Sequence, residues 1–198
     1  VSNTEIEWLA QARKGDDQAF ACLVEIYQKP VFNLCYRMLG TSGEAEEAAQ
    51  ESFIRAYQGL AKYDNQRPFK TWLLSIAAHY CIDQLRRRKM VTFSLDADDT
   101  YFEAPDPSPD PEAVLYANEE QRMLHALIKT LGPQDRATII MRYWYDLSDE
   151  EIGQALSLSV SAVKSRLHRS RRELAELWLK QQTNSINSER RCHASPTV

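Results

Sequence analysis

Apolar residues recur at intervals of three and four through most of this chain, and no run of β-branched residues alternates as a strand would. Phe20, Leu23, Val24 and Tyr27 form one stripe, continued after Pro30 by Val31, Leu34, Cys35, Met38 and Leu39 and ended by Gly40. Beyond Gly43 a second stripe runs through Ala45, Ala48, Ala49, Phe53, Ala56, Tyr57 and Leu60. It leaves Glu46, Glu47, Gln50, Glu51 and Arg55 for the outer side. Asp64 to Pro68 reads as a loop. A third helix is predicted from about Phe69 to Arg88, with Trp72, Leu73, Ile76, Ala77 and Tyr80 for the core and a cationic end that suits the helix dipole. Val114 to Leu131 forms another helix, closed by Gly132-Pro133, and two or three more follow before Leu179. The pattern is all-α, in two small helical domains, with no internal repeat.

Charge divides the chain further. The net charge of −4 hides two basic segments, Arg86-Arg87-Arg88-Lys89 and the group Lys164, Arg166, Arg169, Arg171 and Arg172. Between them, from Met90 to Gln121, there is no Lys or Arg. That stretch carries Asp96, Asp98, Asp99, Glu103, Asp106, Asp110, Glu112, Glu119 and Glu120, with Pro105, Pro107, Pro109 and Pro111 at alternate positions. Alternating prolines forbid a helix and favour an extended chain. The predicted organisation is a first domain over 5–90, an extended acidic, Pro-rich linker over 91–113, a second domain over 114–180, and a polar, disordered tail over 181–198. No apolar run approaches a membrane span and the N-terminus lacks a signal pattern, which predicts a cytoplasmic protein with no membrane insertion. Cys22, Cys35, Cys81 and Cys192 are scattered without metal-ligand spacing, so reduced thiols and no metal are expected. No phosphate loop, metalloprotease motif or nucleophile elbow is present, which argues against an enzyme and against a cofactor.

Residues 149–172 read as a helix-turn-helix. Gly153 supplies the small residue where two helices cross, and Ile152, Leu156, Leu158, Val160 and Val163 the apolar corner. Ser148 and Ser159 are placed to cap its two helices. At about 100° per residue, Val163, Leu167, Ser170 and Leu174 fall on one side of the second helix. Ser161, Ser165, His168, Arg169 and Arg172 stand opposite, positioned to read bases. Lys164, Arg166 and Arg171 lie on the flanks, where a helix in the major groove passes the phosphates. Ser157 occupies a turn position that favours positive φ.

Three stretches then carry a resemblance: Glu44-Ala45-Glu46-Glu47-Ala48-Ala49-Gln50-Glu51-Ser52-Phe53-Ile54-Arg55-Ala56-Tyr57, Pro68-Phe69-Lys70-Thr71-Trp72-Leu73-Leu74-Ser75-Ile76-Ala77, and Val163-Lys164-Ser165-Arg166-Leu167-His168-Arg169-Ser170-Arg171. In this order, with Leu131-Gly132-Pro133 and Arg142-Tyr143, the chain resembles bacterial sigma factors of the extracytoplasmic-function group of the sigma-70 superfamily. The resemblance implies a transcription factor subunit that binds core RNA polymerase and reads two promoter elements. Glu47, Gln50 and Glu51 would dock on the β′ clamp helices, and the second domain on the β flap. The loop 63–69 and the helix after it would hold the non-template strand near minus ten. Tyr63, Phe69 and Trp72 would offer surfaces there, Asn65, Arg67, Lys70 and His79 polar contacts, and Arg86, Arg87, Arg88 and Lys89 phosphate contacts; Trp72 also fits a core position. The helix-turn-helix would read duplex DNA near minus thirty-five. An anti-sigma factor is a further implied partner. The chain departs from the family where the recognition helix opens with Ser161-Ala162 instead of Gly-Thr, and at His79, where relatives carry Asn. The alternative is a stand-alone helix-turn-helix regulator of the response-regulator effector type.

Overall fold

The computed structural model describes residues 3–64, 67–95 and 119–192, with the backbone alone at 3, 91–95, 119–121 and 181–192. Eight α-helices are present among them: α1 (Asn3–Ala12), α2 (Asp17–Leu39), α3 (Ser42–Gly59), α4 (Phe69–Leu95), α5 (Glu119–Thr130), α6 (Pro133–Trp144), α7 (Asp149–Leu156) and α8 (Val160–Cys192). Helices α1 to α4 pack as one bundle. Asp16 starts α2 by accepting the amides of Gln18 and Ala19, at 2.9 and 3.1 Å. Gly40 stops it in the left-handed region at φ +97°, its N–H donating back to the Tyr36 carbonyl. Pro30 stays inside α2, where it leaves the Ile26 carbonyl without its usual helical donor.

Three helix limits differ from the sequence pattern. Helix α4 continues past Arg88 to Leu95, because no Gly or Pro interrupts that stretch. Helix α8 runs on to Cys192, well into the stretch 181–198 expected to be disordered. A helix already nucleated upstream extends through Gln, Asn, Ser, Glu and Arg without needing a buried stripe. Helix α1 has no counterpart in the predicted elements. Residues 96–118 and 193–198, most of the predicted linker and the chain's end, lie outside the described residues.

The helix-turn-helix follows its sequence signals closely. Ser148 and Glu151 form a reciprocal capping box at the start of α7. Ser157 adopts φ 55°, ψ 45°, and Leu158 N–H donates to the Gly153 carbonyl at 2.8 Å. A Cβ at Gly153 would stand 2.8 Å from the Leu158 carbonyl oxygen, which explains the small residue. Ser159 Oγ accepts the Ala162 amide at 3.2 Å.

The two helical units do not stand apart: α6 and α7 lie against α4, and α5 and α6 against α2, so one apolar core continues across the seam. Successive residues of α4 at 100° show why. Its buried side chains, from Phe69 and Leu73 through Leu74 and Ala78 to Ile82, wrap about two-thirds of the circumference. Arg136 ties the seam. Its guanidinium is buried, donating through Nη1 to the Met38 carbonyl at 2.5 Å and through Nη2 to the carbonyls of Lys129 and Leu131. Lys129 Nζ donates to the Gly40 carbonyl at 3.3 Å, Tyr145 Oη to the Pro30 carbonyl at 2.5 Å, and His125 stacks on Tyr36 with ring centroids 5.3 Å apart.

Gly153→Ala should lower stability by about 2 kcal/mol through the backbone clash, while Ser157→Gly should raise it by about 1 kcal/mol, both read as shifts in urea midpoint. His125 is pushed down to about 4 by burial first, then by Lys129 and Arg37, with Arg136 adding to the same effect. An imidazole held neutral binds fewer protons in the closed arrangement than in water. The seam is therefore intact above the ordinary value of 6.5 and weakens as pH falls from there toward 4. A distance between labels on α3 and α8 should lengthen over that interval, and His125→Phe should flatten the response.

Candidate nucleic-acid interface

Helix α8 separates a buried side from a polar one. Val163, Leu167 and Ser170 are buried and Leu174 packs against the core, whereas Ser161, Lys164, Ser165, His168, Arg169, Arg171 and Arg172 are exposed. The separation is the one the 100° spacing predicts. Its cations are partly engaged within the chain. Arg166, predicted on the phosphate-facing flank, is half-buried. It bonds Asp135 Oδ1 at 2.5 Å and Gln134 Oε1 at 3.0 Å at the start of α6. Arg169 reaches the same Asp135 carboxylate at 3.2 Å, Arg171 Nε donates to the Leu167 carbonyl at 3.0 Å, and Arg172 pairs with Glu176 at 3.3 Å. Lys164, Ser165 and His168 remain on the open face beside them.

The predicted strand-binding residues of the first unit do not share one surface. Phe69 and Tyr63 are buried, 5.7 Å apart edge to face, and Phe69 also meets Tyr27 at 5.5 Å and Trp72 at 5.6 Å. Phe69 and Tyr63 are thus core residues in this structure, and Trp72 packs with them as its helical spacing indicated. His79 and Arg86 share the exposed face of α4, His79 with Nδ1 2.8 Å from the Ser75 carbonyl oxygen and Arg86 3.9 Å from Asp83. Lys70 does not join them. At 100° per residue it points to the opposite side from His79, and its Nζ lies 5.8 Å from the centre of the Tyr145 ring across the seam. Arg87 and Lys89 are exposed, while Arg88 is tied to Glu44 of α3. Burial lowers the Arg88 pKa. Asn65 lies outside the described residues.

Arg67 has a neighbour that the sequence did not reveal. With Gly153, Ser157, Leu158 and Val160 it lines one cleft of about 570 Å³, so the loop before α4 and the turn of the helix-turn-helix face each other. On α3, Glu47 and Gln50 are exposed and Glu51 is half-buried, 2.7 Å from Arg55. Sequence reasoning passed over Asp135, Arg136, Trp144 and Tyr145. The one signal was a cation, Arg136, set just before the apolar run Ala137–Met141. Among the described residues no group of His, Cys, Asp or Glu could hold a metal, and no helix is long and apolar enough to cross a membrane.

Two joined helical units, one ending in a helix-turn-helix with a polar, cationic outer face, define a two-domain all-helical protein of the transcription-factor class. The family described as Sigma-70 region 2 matches residues 23–90, and that described as Sigma-70, region 4, matches residues 121–174. The chain is 38% identical over 173 residues to the ECF RNA polymerase sigma factor SigW of Bacillus subtilis (strain 168), covering 84% of this chain and 92% of that one. It is 31% identical over 167 residues to the RNA polymerase sigma-H factor of Pseudomonas aeruginosa, covering 81% and 86%. Of solved structures, CnrH in complex with the cytosolic domain of CnrY matches with a TM-score of 0.64 at 23% identity, over 89% of this chain and 97% of that one. The sigma factor RpoE in complex with the anti-sigma factor NepR from Bartonella quintana matches at 0.64 and 19%, over 80% and 96%. Both show the same fold. The chain belongs to the extracytoplasmic-function group of the sigma-70 family: a sigma factor, without enzymatic activity, that directs transcription initiation with RNA polymerase.

Asp135 holds both Arg166 and Arg169, which makes it the anchor of α8 on α6. Asp135→Asn should lower the denaturation midpoint by an amount equivalent to about 1–2 kcal/mol, since Arg166 loses a partly buried partner. Unchanged stability would show that the pair contributes nothing to the placement of α8.

Proposed function

We propose that the two units read two separate promoter elements on the polymerase, the first near minus ten and the second near minus thirty-five. The observation that supports this reading best is the sorted face of α8, with Ser161, Ser165, His168 and Arg169 outward over a buried Val163, Leu167 and Ser170. In this reading Ser165, His168, Arg169 and Arg172 meet base edges, and Lys164 and Arg171 meet phosphates. Ser161, at the helix start, offers a hydroxyl. Arg166 holds the helix in place through Asp135 and reaches a phosphate only when that pair opens. The first unit holds the melted strand with Arg67, His79 and Arg86, assisted by Arg87, Arg88 and Asn65; Lys70 and the buried Phe69 support the loop from behind.

Glu47, Gln50 and Glu51 are the polymerase-docking face on α3, against the β′ clamp helices, and the second unit docks on the β flap. Promoter reading requires the halves to part, because α6 and α7 cover one side of α4 and the helix-turn-helix faces Arg67. An anti-sigma factor is a partner by likeness to the solved complex of RpoE with NepR. The site of action is the cytoplasm, where the polymerase works.

Run-off transcription with core polymerase on genomic fragments tests the whole reading: defined start sites should appear only when the protein is added. The protein alone should bind DNA weakly. Gln50→Ala with Glu51→Ala should weaken polymerase binding roughly tenfold, about 1.4 kcal/mol, with the helical content intact. Arg169→Ala should relax base preference upstream at a cost of about 1–3 kcal/mol, whereas Arg171→Ala should lower affinity evenly across sequences. Tight sequence-specific binding by the free chain would overturn the two-element reading in favour of a stand-alone regulator.

A further inference from the structure

A cleft of about 310 Å³ opens at the seam, with Lys29, Asn33 and Arg37 of α2 and Lys70 of α4 on one wall and Trp144 and Tyr145 on the other. Three of these six residues are cations. Among the described residues no carboxylate pairs with any of them. Arg37 spends one donor on the Asn33 carbonyl at 3.1 Å and lies 5.3 Å from the Trp144 ring centre, and Lys70 lies over Tyr145. A cleft lined by three cations and two aromatic side chains suits an extended chain that alternates proline with carboxylates. Proline rings pack on Trp and Tyr faces without losing backbone entropy, and the acids meet the cations.

We propose that the occupant is this chain's own segment Pro105-Asp106-Pro107-Ser108-Pro109-Asp110-Pro111-Glu112. Its composition is the complement of the cleft: four prolines, three carboxylates and no cation. Its reach is also sufficient. From Leu95 back along α4 to Lys70 is 25 residues of helix, about 38 Å. The eleven residues from Leu95 to Asp106 cover about that distance when extended, and those to Asp110 cover about 50 Å.

The other end of the stretch points the same way. His125 meets Tyr36 and Lys129 meets Gly40, two contacts four residues apart on both helices. Helix α5 therefore runs in the same direction as α2, and its first residue, Glu119, lies toward the Pro30 end, where the cleft is. Because the cleft's walls come from both halves, the segment can dock only while the halves are in contact.

Carbodiimide, which joins a lysine amine directly to a carboxylate it touches, tests this on the full chain in solution. A mixture of chains with ordinary and heavy nitrogen separates links within one molecule from links between two. Lys29 or Lys70 should be joined to Asp106, Asp110 or Glu112 within one chain, and Arg37→Gln should lower the yield by roughly threefold. In a second measurement, the Trp144 indole resonance should move in a variant carrying D106N, D110N and E112Q. The proposal is overturned if both lysines link only to other acids, if these acids link only between chains, or if the indole resonance stays in place. Both readings use the free protein, so failure here leaves promoter-directed initiation standing.

Discussion

The closed arrangement depends on a buried guanidinium that has no carboxylate within hydrogen-bonding reach among the described residues. Arg136 is met by three backbone carbonyls at two helix ends: Met38 in the last turn of α2, Lys129 in the last turn of α5 and Leu131 just beyond it. Helix ends leave carbonyls without partners and concentrate partial negative charge, so two converging C-termini take the place of an acid. Gly40 makes this possible by ending α2 in the left-handed conformation, which no longer uses the Met38 carbonyl within the helix. Nε of Arg136 finds no acceptor among the described residues, and burial lowers its pKa. Parting of the halves, as the proposed promoter reading requires, would cost Arg136 the Met38 carbonyl, leave those of Lys129 and Leu131 within its own half and admit water. The latch is thus specific in geometry and modest in energy, as a reversible contact must be.

What was legible in the sequence was what is local. Gly153, Ser148, Ser157 and Ser159 act on atoms within a few residues of themselves, and each behaves in the structure as its type and position foretold. The buried face of α8 was likewise fixed by spacing. The seam was not legible, because its partners are backbone carbonyls 98 positions away from Arg136 and 115 from Tyr145, and a carbonyl has no sequence signature. The burial of Phe69 was not legible for a related reason. An aromatic at the start of a helix can face inward or outward, and only the packing of Tyr27, Tyr63 and Trp72 shows that Phe69 faces inward here.

The division of α4 into two opposed faces also reorders the site. His79 and Arg86 look outward while Lys70 looks into the seam, so residues close in sequence belong to different surfaces. Asp135 links two arginines that the sequence assigned to separate tasks, reading and clamping, and so ties the register of the recognition helix to the start of α6. A change on one of these residues is felt by the others.

The burial of α4 around two-thirds of its circumference has a thermal consequence. Parting the halves brings apolar side chains into water, and exposing apolar surface raises heat capacity. The balance between joined and parted forms is therefore curved in temperature, with the joined form losing its advantage on cooling as well as on strong heating. A factor built this way carries in its own core a dependence on temperature that its polar surfaces do not supply.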